Sequence, residues 1–217
     1  PVIARLRAVS AGLAPETRGA LGMMTAMFVF ICMDSLAKHL GETLPPLQVV
    51  WARYTGQTLL LVLIFLPRLP RLLRTAAPGL QIMRSVLLFS ATSLYFNGLT
   101  MLPLAEATAL MEVGPLLITA MAALILGEQV GPRRWGAVAA GLVGALIIVR
   151  PGLGVFQPAA LLVLGAATCI AGYQIATRMM GTADGIWTTM LYTTLFGSLV
   201  SSAAMPWVWQ TPPPEAL

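Results

Sequence analysis

Residues 103–134 read PLAEATALMEVGPLLITAMAALILGEQVGPRR, and this stretch decides the fold class. Its apolar part is long enough to cross a hydrocarbon core of about 30 Å as an α-helix, which takes roughly 20 residues. The same stretch carries two carboxylates, Glu106 and Glu112, and a proline, Pro115. An ionisable group at membrane depth is costly unless it faces a partner or a water-filled cavity. The stretch therefore predicts a membrane helix that carries a functional site.

The composition of the whole chain is typical of an integral membrane protein. Of its 217 residues, 58% are hydrophobic and 10% are charged, whereas soluble proteins average about 25% charged residues. The apolar runs are continuous and do not alternate with period two, which favours helices over a β-barrel. The net charge of +5 comes from basic residues at the ends of these runs. They indicate membrane topology, and no nucleic-acid partner is expected.

Proline, glycine and arginine clusters divide the chain into a polar lead, residues 1–18, and seven predicted spans. The spans are 19–40, 47–66, 79–100, 103–126, 135–149, 158–180 and 186–209. With a cytoplasmic N-terminus, ten of the 13 basic residues lie on the cytoplasmic side and two on the outer side, while Arg53 lies within the second span. The positive-inside rule therefore predicts a cytoplasmic N-terminus.

The chain also shows an internal repeat. A shift of 139 residues places the first span on the sixth and the second on the seventh without a gap, so that Ala37 falls on Ala176. Five spans precede the second copy, and an odd number makes the two copies inverted in the membrane. We expect a first repeat over 19–151 and the start of a second, inverted repeat over 152–217. Inverted repeats are typical of secondary transporters.

Four charged residues are predicted to lie near the outer surface. Asp34 and Arg53 each lie about 9 Å below it, and Glu106 about 4.5 Å. Lys38 is one helical turn from Asp34 on the same face. We expect a charge cluster of Asp34, Lys38, Arg53 and Glu106 that acts as an outer gate or as a structural latch. The 139-residue shift pairs Asp34, Lys38 and Arg53 with Tyr173, Thr177 and Tyr192, so the charges belong to one repeat only.

Glu112 lies deeper, about 13 Å into the fourth predicted span. Pro115 removes the hydrogen bond to the carbonyl of Met111 and tends to kink the helix. A free carbonyl beside a carboxylate near the midplane suits a substrate or coupling-ion site; the alternative is a protonated Glu112 bonded to a neighbouring helix. The predicted site consists of Glu112, Met111 and Pro115, with the amphipathic residues Tyr95, Asn97, Tyr173 and Gln174 as candidates for the cavity wall.

Catalytic and metal-binding patterns are not found in the sequence. One histidine and two cysteines stand without a metal-ligand spacing, and no acid/base motif accompanies them. We therefore expect no catalytic residue, no metal and no cofactor, and interpret the protein as a non-enzyme. A membrane-embedded lipid-modifying enzyme is the alternative of another class, but it would need a convergent catalytic set.

Residues 103–152 resemble the end of the first repeat of EamA-type transporters in the drug/metabolite transporter superfamily. The matching features are the mid-helix Pro115, the apolar run ending in Gly127 and Glu128, a basic turn, a glycine-rich helix and a closing Arg150-Pro151-Gly152. The start of the repeat also fits, through Asp34, Lys38, Gln48 and Arg53.

The resemblance implies an all-α integral membrane protein of the bacterial inner membrane, with ten helices in two inverted five-helix repeats. Seven of those ten are present in this chain. It also implies transport of a small organic substrate, for which we expect alternating access; Glu112 makes a proton a candidate co-substrate. An amino acid or metabolite exporter is the first expectation, and an importer of a vitamin or nucleoside-like metabolite is the second. Small residues on the fifth span leave a homo-oligomer open.

Overall fold

The computed structural model describes residues 15–149 and 158–211, and within these ranges the regular structure is entirely helical. A 3-10 turn at Leu66–Arg68 joins the second and third helices. The helices are α1 Pro15–Leu40, α2 Pro46–Phe65, α3 Leu69–Leu72, α4 Pro78–Met101, α5 Leu104–Met111, α6 Gly114–Leu126, α7 Pro132–Val149, α8 Pro158–Met180 and α9 Ile186–Val208. The predicted all-α class is confirmed. Most of the predicted polar lead and the closing 150–152 motif lie outside the described residues.

Six of the predicted spans correspond to single helices, but the span 103–126 does not. It is divided into α5 and α6 by a turn at Glu112 and Val113. Pro115 has no N–H to donate to the carbonyl of Met111, and the next amide, that of Leu116, bonds to the carbonyl of Val113 at 3.0 Å instead. The hydrogen bonding is irregular at this point, where Val113 also bonds to Leu110 in an i,i+3 pattern. The segment Leu104–Leu126 is still long and apolar enough for one membrane span, so the predicted span is present, with a local interruption beside Pro115.

Four segments are long and apolar enough to cross a membrane by length and composition alone: Gly19–Leu40, Pro46–Leu72, Leu104–Leu126 and Ala159–Met180. The helices α4 and α9 have comparable lengths, 24 and 23 residues. Their buried faces carry hydroxyl and amide side chains, which lowers their hydropathy. The chain is a multi-pass membrane protein.

The helix α4 lies at the centre of the fold and packs along α8, with α2 and α9 beside it. Small residues on α8 permit this close approach. A side chain at Gly98 of α4 would place its Cβ 2.6 Å from Cγ2 of Val163 on α8. The buried face of α8 consists mostly of alanine, with the residues Ala159, Ala160, Val163, Ala166, Ala167, Ala171, Ile175, Ala176 and Met180.

The first helix is packed differently, because most of its apolar side chains face outward. Within the described residues its main contacts are with α4 and α5. They lie near its C-terminal end, where Lys38 bonds to the carbonyls of Leu99 and Leu102. Exposed apolar side chains on a membrane-length helix are suited to contact with lipid.

The helices α2 and α9 are joined at two places along their contact. Near the start of α2, the amide of Gln48 donates to the carbonyl of Gln210 at 2.9 Å and accepts from its N–H at 3.1 Å. Further in, the ring of Tyr54 packs over Gly197, where a Cβ would lie 2.5 Å from a ring carbon. The hydroxyl of Tyr54 lies 3.0 Å from Oγ1 of Thr92, so the ring is held from two sides.

We expect the substitution Gly197→Ala to lower the stability of the protein by about 1 to 3 kcal/mol, because the added methyl group overpacks against the ring of Tyr54. Gly56→Ala on α2 is the control, since no heavy atom lies within 4 Å of the added Cβ. The thermal midpoint in detergent measures both. Equal midpoints for the two variants would contradict the close packing of α2 on α9.

Candidate functional site

Opposite charges from two helices lie near the end of α1 and the beginning of α2, on the side that the sequence predicts to be the outer one. The hydroxyl of Tyr95 on α4 donates to Oδ2 of Asp34 on α1 at 3.1 Å. The guanidinium of Arg53 on α2 lies over the ring of Phe96, the residue next to Tyr95 on α4. Within residues 15–149 and 158–211, however, neither Asp34 nor Arg53 forms an ion pair of 4.0 Å or less. The two charged residues are thus connected indirectly, through the neighbouring α4 residues Tyr95 and Phe96.

Aromatic rings support the guanidinium of Arg53. Its central carbon lies 5.9 Å from the ring centroid of Tyr54 and 5.7 Å from that of Phe96, within the range of cation–π attraction. Its Nε atom is buried and has no hydrogen-bond partner among the described residues. We define Asp34, Arg53, Tyr95 and Phe96 as the outer cluster.

Lys38 and Glu106 were expected in the same cluster, but the structure gives them other surroundings. Nζ of Lys38 donates to the carbonyls of Leu99 and Leu102 at 2.9 and 2.8 Å. These carbonyls belong to the end of α4, where helical partners run out, so Lys38 caps that helix. Glu106 is exposed in the first turn of α5, where the helix dipole favours a carboxylate.

Glu112 lies at the junction of α5 and α6, with its side chain exposed. No hydrogen bond joins that side chain to another residue in the part of the chain that the structure describes. Met111 is partly buried against the core, and Pro115 is exposed. The interruption of the helix therefore lies beside the carboxylate of Glu112, an arrangement suited to an ion or substrate site. The site itself stays a prediction.

The predicted wall residues are not brought together around Glu112. Tyr95 belongs to the outer cluster through Asp34. The amide of Asn97 donates to the carbonyl of Ser93 on its own helix at 2.7 Å, and Gln174 is exposed. Tyr173 lies in a different network, at the cytoplasmic end predicted for α4 and α8.

That network is built on Arg84, which the sequence analysis assigned to membrane topology. Its side chain is only 1% exposed. Nε donates to Oγ1 of Thr177 at 2.8 Å, and Nη2 donates to the hydroxyl of Tyr173 at 3.0 Å. The guanidinium lies 4.8 Å above the Tyr173 ring, and Nη1 donates to Oε1 of Gln81 at 3.3 Å. The signal that could have identified Arg84 was its position about 7.5 Å inside the predicted span 79–100.

The same network continues to Asp184 in the connector between α8 and α9. Its carboxylate accepts hydrogen bonds from the amide of Gln81 at 2.8 Å, from the N–H of Ala76 at 2.9 Å and from the hydroxyl of Thr75. Partial burial by itself raises the pKa of Asp184, but these three hydrogen bonds outweigh it and hold the pKa below its usual range. The inner network is defined as Thr75, Gln81, Arg84, Tyr173, Thr177 and Asp184.

Comparison with known families agrees with this architecture. The chain belongs to the EamA-like transporter family, whose profile matches residues 17–150. The resemblance predicted from the sequence is therefore confirmed.

Curated relatives in this family carry different transport names. A riboflavin transporter of Rhizobium johnstonii is 34% identical over 193 residues, covering 85% of this chain and 64% of the relative. An S-adenosylmethionine uptake transporter of Rickettsia prowazekii is 25% identical over 179 residues, which cover 82% of this chain and 61% of the relative. A pseudopaline exporter of Pseudomonas aeruginosa is 29% identical over 192 residues, which cover 88% of this chain and 66% of the relative.

The chain thus spans about three fifths to two thirds of the length of the relatives it matches. No solved structure gives a significant match to it.

We expect Asp184→Asn to lower the thermal midpoint at pH 7, because the amide keeps only one acceptor oxygen for three donors. A carboxyl group whose pKa is lower in the folded than in the unfolded protein stabilises the folded state at any pH above the unfolded pKa, about 3.9. This stabilisation is lost as the pH falls through the folded pKa. The difference between variant and wild type should therefore shrink below about pH 4.

Thermal midpoints in detergent between pH 3 and pH 7 measure this effect. Glu42→Gln is the control, since Glu42 is exposed and its carboxylate lies 3.6 Å from Nδ1 of His39 at the surface. A difference that stays constant over this range would exclude a stabilising charge on Asp184.

Proposed function

We propose that this protein is a secondary transporter that moves small organic metabolites across the bacterial inner membrane by alternating access, with its N-terminus in the cytoplasm. The observation that carries the proposal is the outer cluster, in which Asp34 and Arg53 are partly buried without a direct ion pair. Charges retained at membrane depth are costly and are typical of substrate and ion pathways. The family assignment and the names of three relatives support the same function.

The proposal includes the two inverted repeats, 19–151 and 152–217. Its support is the correspondence of helix bounds under the 139-residue shift. The shift places Leu40, the end of α1, at position 179, one residue before the end of α8 at Met180. It places Pro46, the start of α2, at position 185, one residue before the start of α9 at Ile186. Rocking of one repeat against the other would open the outer and inner sides in turn.

Two directions of transport are candidates. Export of an amino acid or related metabolite is the first, because the outer cluster offers one charge of each sign and one relative is named as an exporter. Import of a vitamin or nucleoside-like compound is the second, supported by the riboflavin and S-adenosylmethionine transporters among the relatives. The names of these relatives give no support to a lipid-modifying enzyme.

We propose Glu112 as the residue that couples transport to protons. It lies where α5 ends and α6 begins, and the helix break leaves the carbonyl of Met111 without its helical donor. A carboxylate beside such a carbonyl is suited to bind and release a proton as the surroundings change.

Flux into proteoliposomes tests both parts on the protein at its full length. We expect at least one member of a panel of amino acids, vitamins and nucleosides to cross faster than in empty liposomes, and to respond to an imposed pH gradient. The variant Glu112→Gln should retain flux and lose that response. Glu106→Gln, an exposed carboxylate on the same α5 helix, is the matched control and should keep it.

The outcomes separate the two claims. Gradient-dependent flux in Glu112→Gln would show that another group carries the proton. Absence of flux for every panel member in every variant would contradict the transporter proposal itself.

A further inference from the structure

The connector between α2 and α4 carries a sequence repeat with a period of three residues. Residues 66–74 read LPRLPRLLR, so that leucine recurs at 66, 69 and 72 and arginine recurs at 68, 71 and 74. We define residues 66–74 as the basic connector.

The backbone of the basic connector has a matching period. It begins with the 3-10 turn Leu66–Arg68 and continues into α3, after which the N–H of Arg74 donates to the carbonyl of Arg71 at 3.2 Å. Side chains three residues apart lie in line on a 3-10 turn and are neighbours on an α-helix. The three arginines therefore lie along one side of the basic connector, and the three leucines lie along an adjacent side.

The arginine side is exposed and has no acidic partner. Arg68, Arg71 and Arg74 are all exposed, whereas Leu69 and Leu72 are half-buried. No aspartate or glutamate occurs between positions 66 and 78. Within residues 15–149 and 158–211, none of the three guanidinium groups lies within 4.0 Å of a carboxylate. The basic connector thus presents three positive charges that no neighbouring acid neutralises by direct contact.

Contacts with α9 and with the connector before it hold this segment in place. The hydroxyl of Tyr192 on α9 donates to the carbonyl of Leu73 at 2.7 Å. Just beyond the basic connector, the N–H of Ala76 donates to Asp184 at 2.9 Å. The carboxylate of Asp184 also accepts from the side chains of Thr75 and Gln81, so it is occupied by donors other than the arginines. A fixed backbone therefore presents the arginines as a defined array.

The basic connector begins where the hydrocarbon core is expected to end. The helix α2, Pro46–Phe65, has 20 residues, which is about 30 Å and matches the thickness of the core. The ring centroid of Phe65, the last residue of α2, lies 4.8 Å from that of Trp187, and Trp187 is 47% exposed. Tryptophan is enriched at the level of the lipid headgroups. The arginines that follow Phe65 are therefore placed at the level of the lipid phosphates.

We propose that the basic connector binds the headgroup of an anionic phospholipid, on the membrane side that the sequence predicts to be cytoplasmic. The planar fork of a guanidinium matches two oxygens of a phosphate group. Clusters of basic residues beside membrane helices attract anionic headgroups. This surface binds a lipid and not the transported solute, so the inference goes beyond the proposed function and does not depend on it.

The leucine side favours a lipid over a soluble phosphate. Leu66 is 60% exposed and Leu73 is 43% exposed, so apolar surface remains uncovered next to the guanidinium groups. A soluble phosphate would leave this surface in water, whereas the acyl chain of a bound lipid would cover it, and covering apolar surface is favourable. Cationic and apolar groups side by side thus fit an amphiphile.

Fluorescence quenching by brominated lipids tests the proposal with the full-length protein in vesicles. All native cysteines are replaced by serine, and a bimane label at Leu66→Cys reports on the lipid beside the basic connector. The same label at Leu36→Cys, which is 59% exposed on α1, reports on a lipid-facing position far from it in the sequence.

We expect brominated phosphatidylglycerol to quench the label at position 66 with a preference of about tenfold or more over brominated phosphatidylcholine, because each basic residue near an anionic surface contributes about fivefold. The preference at position 36 should be close to one. Raising the salt from about 0.1 to about 1 M shortens the screening length from about 10 to about 3 Å and should reduce the preference at position 66.

Variants separate a defined site from the general positive charge of this membrane side. Arg68→Gln with Arg71→Gln should lower the preference at position 66 severalfold, and adding Arg74→Gln should bring it to the value at position 36. The matched control is Arg133→Gln with Arg134→Gln, which removes two exposed arginines at the start of α7, on the same predicted side. It should leave the preference almost unchanged. Quenching by brominated phosphatidylcholine should be the same in every variant, which shows that the fold and the label position are retained.

Three results would overturn the lipid site. Equal preferences at positions 66 and 36 would show that no lipid is selected. Equal losses in the control pair and in the connector variants would assign the preference to diffuse surface charge. Loss of the preference on replacing chloride by inorganic phosphate at constant ionic strength would assign the arginines to a soluble anion. None of these results bears on solute flux, and absence of flux would leave the lipid site intact.

Discussion

The close packing of α4 on α8 is the contact on which the other features depend. It is possible because α8 presents alanine along its buried face and α4 presents Gly98 opposite Val163. In a membrane, where lipid is as apolar as a leucine side chain, such close approach is the main source of attraction between helices. It also places α4 in contact with residues from both predicted repeats.

Because α4 is central, its polar residues reach both sides of the membrane. Arg84 lies in the inner network, and Tyr95, eleven residues and about 16 Å further along the helix, lies in the outer cluster. A shift or tilt of this one helix would alter both sets of contacts together. Alternating access requires such a link between the two sides.

The sequence predicted the helices well and the side-chain partners poorly. Span bounds depend on local features such as proline, glycine and apolar length, and α8 begins and ends at the predicted residues. Lys38 was expected to pair with the carboxylate of Asp34, one helical turn away. It instead donates to the carbonyls of Leu99 and Leu102, which are 61 and 64 positions away in the sequence. That choice depends on where the end of α4 lies in space, which local pattern does not contain. Arg84 was misread for the same reason, since only its neighbours on α8 show that it is buried.

The amide of Gln81 gives the inner network a particular electrostatic character. It donates to Asp184 and accepts from Arg84, so a buried cation and an anion near the surface are joined through one neutral group. Asp184 thus compensates the positive charge of Arg84 through Gln81, although no carboxylate contacts the guanidinium directly. The amide of Gln81, which does not titrate, separates the two charged groups. The hydrogen bonds to Asp184 hold its pKa below its usual range, so this carboxylate stays ionised near neutral pH. The carboxylate of the inner network is therefore a fixed negative charge near neutral pH, and it does not act there as a proton-binding group.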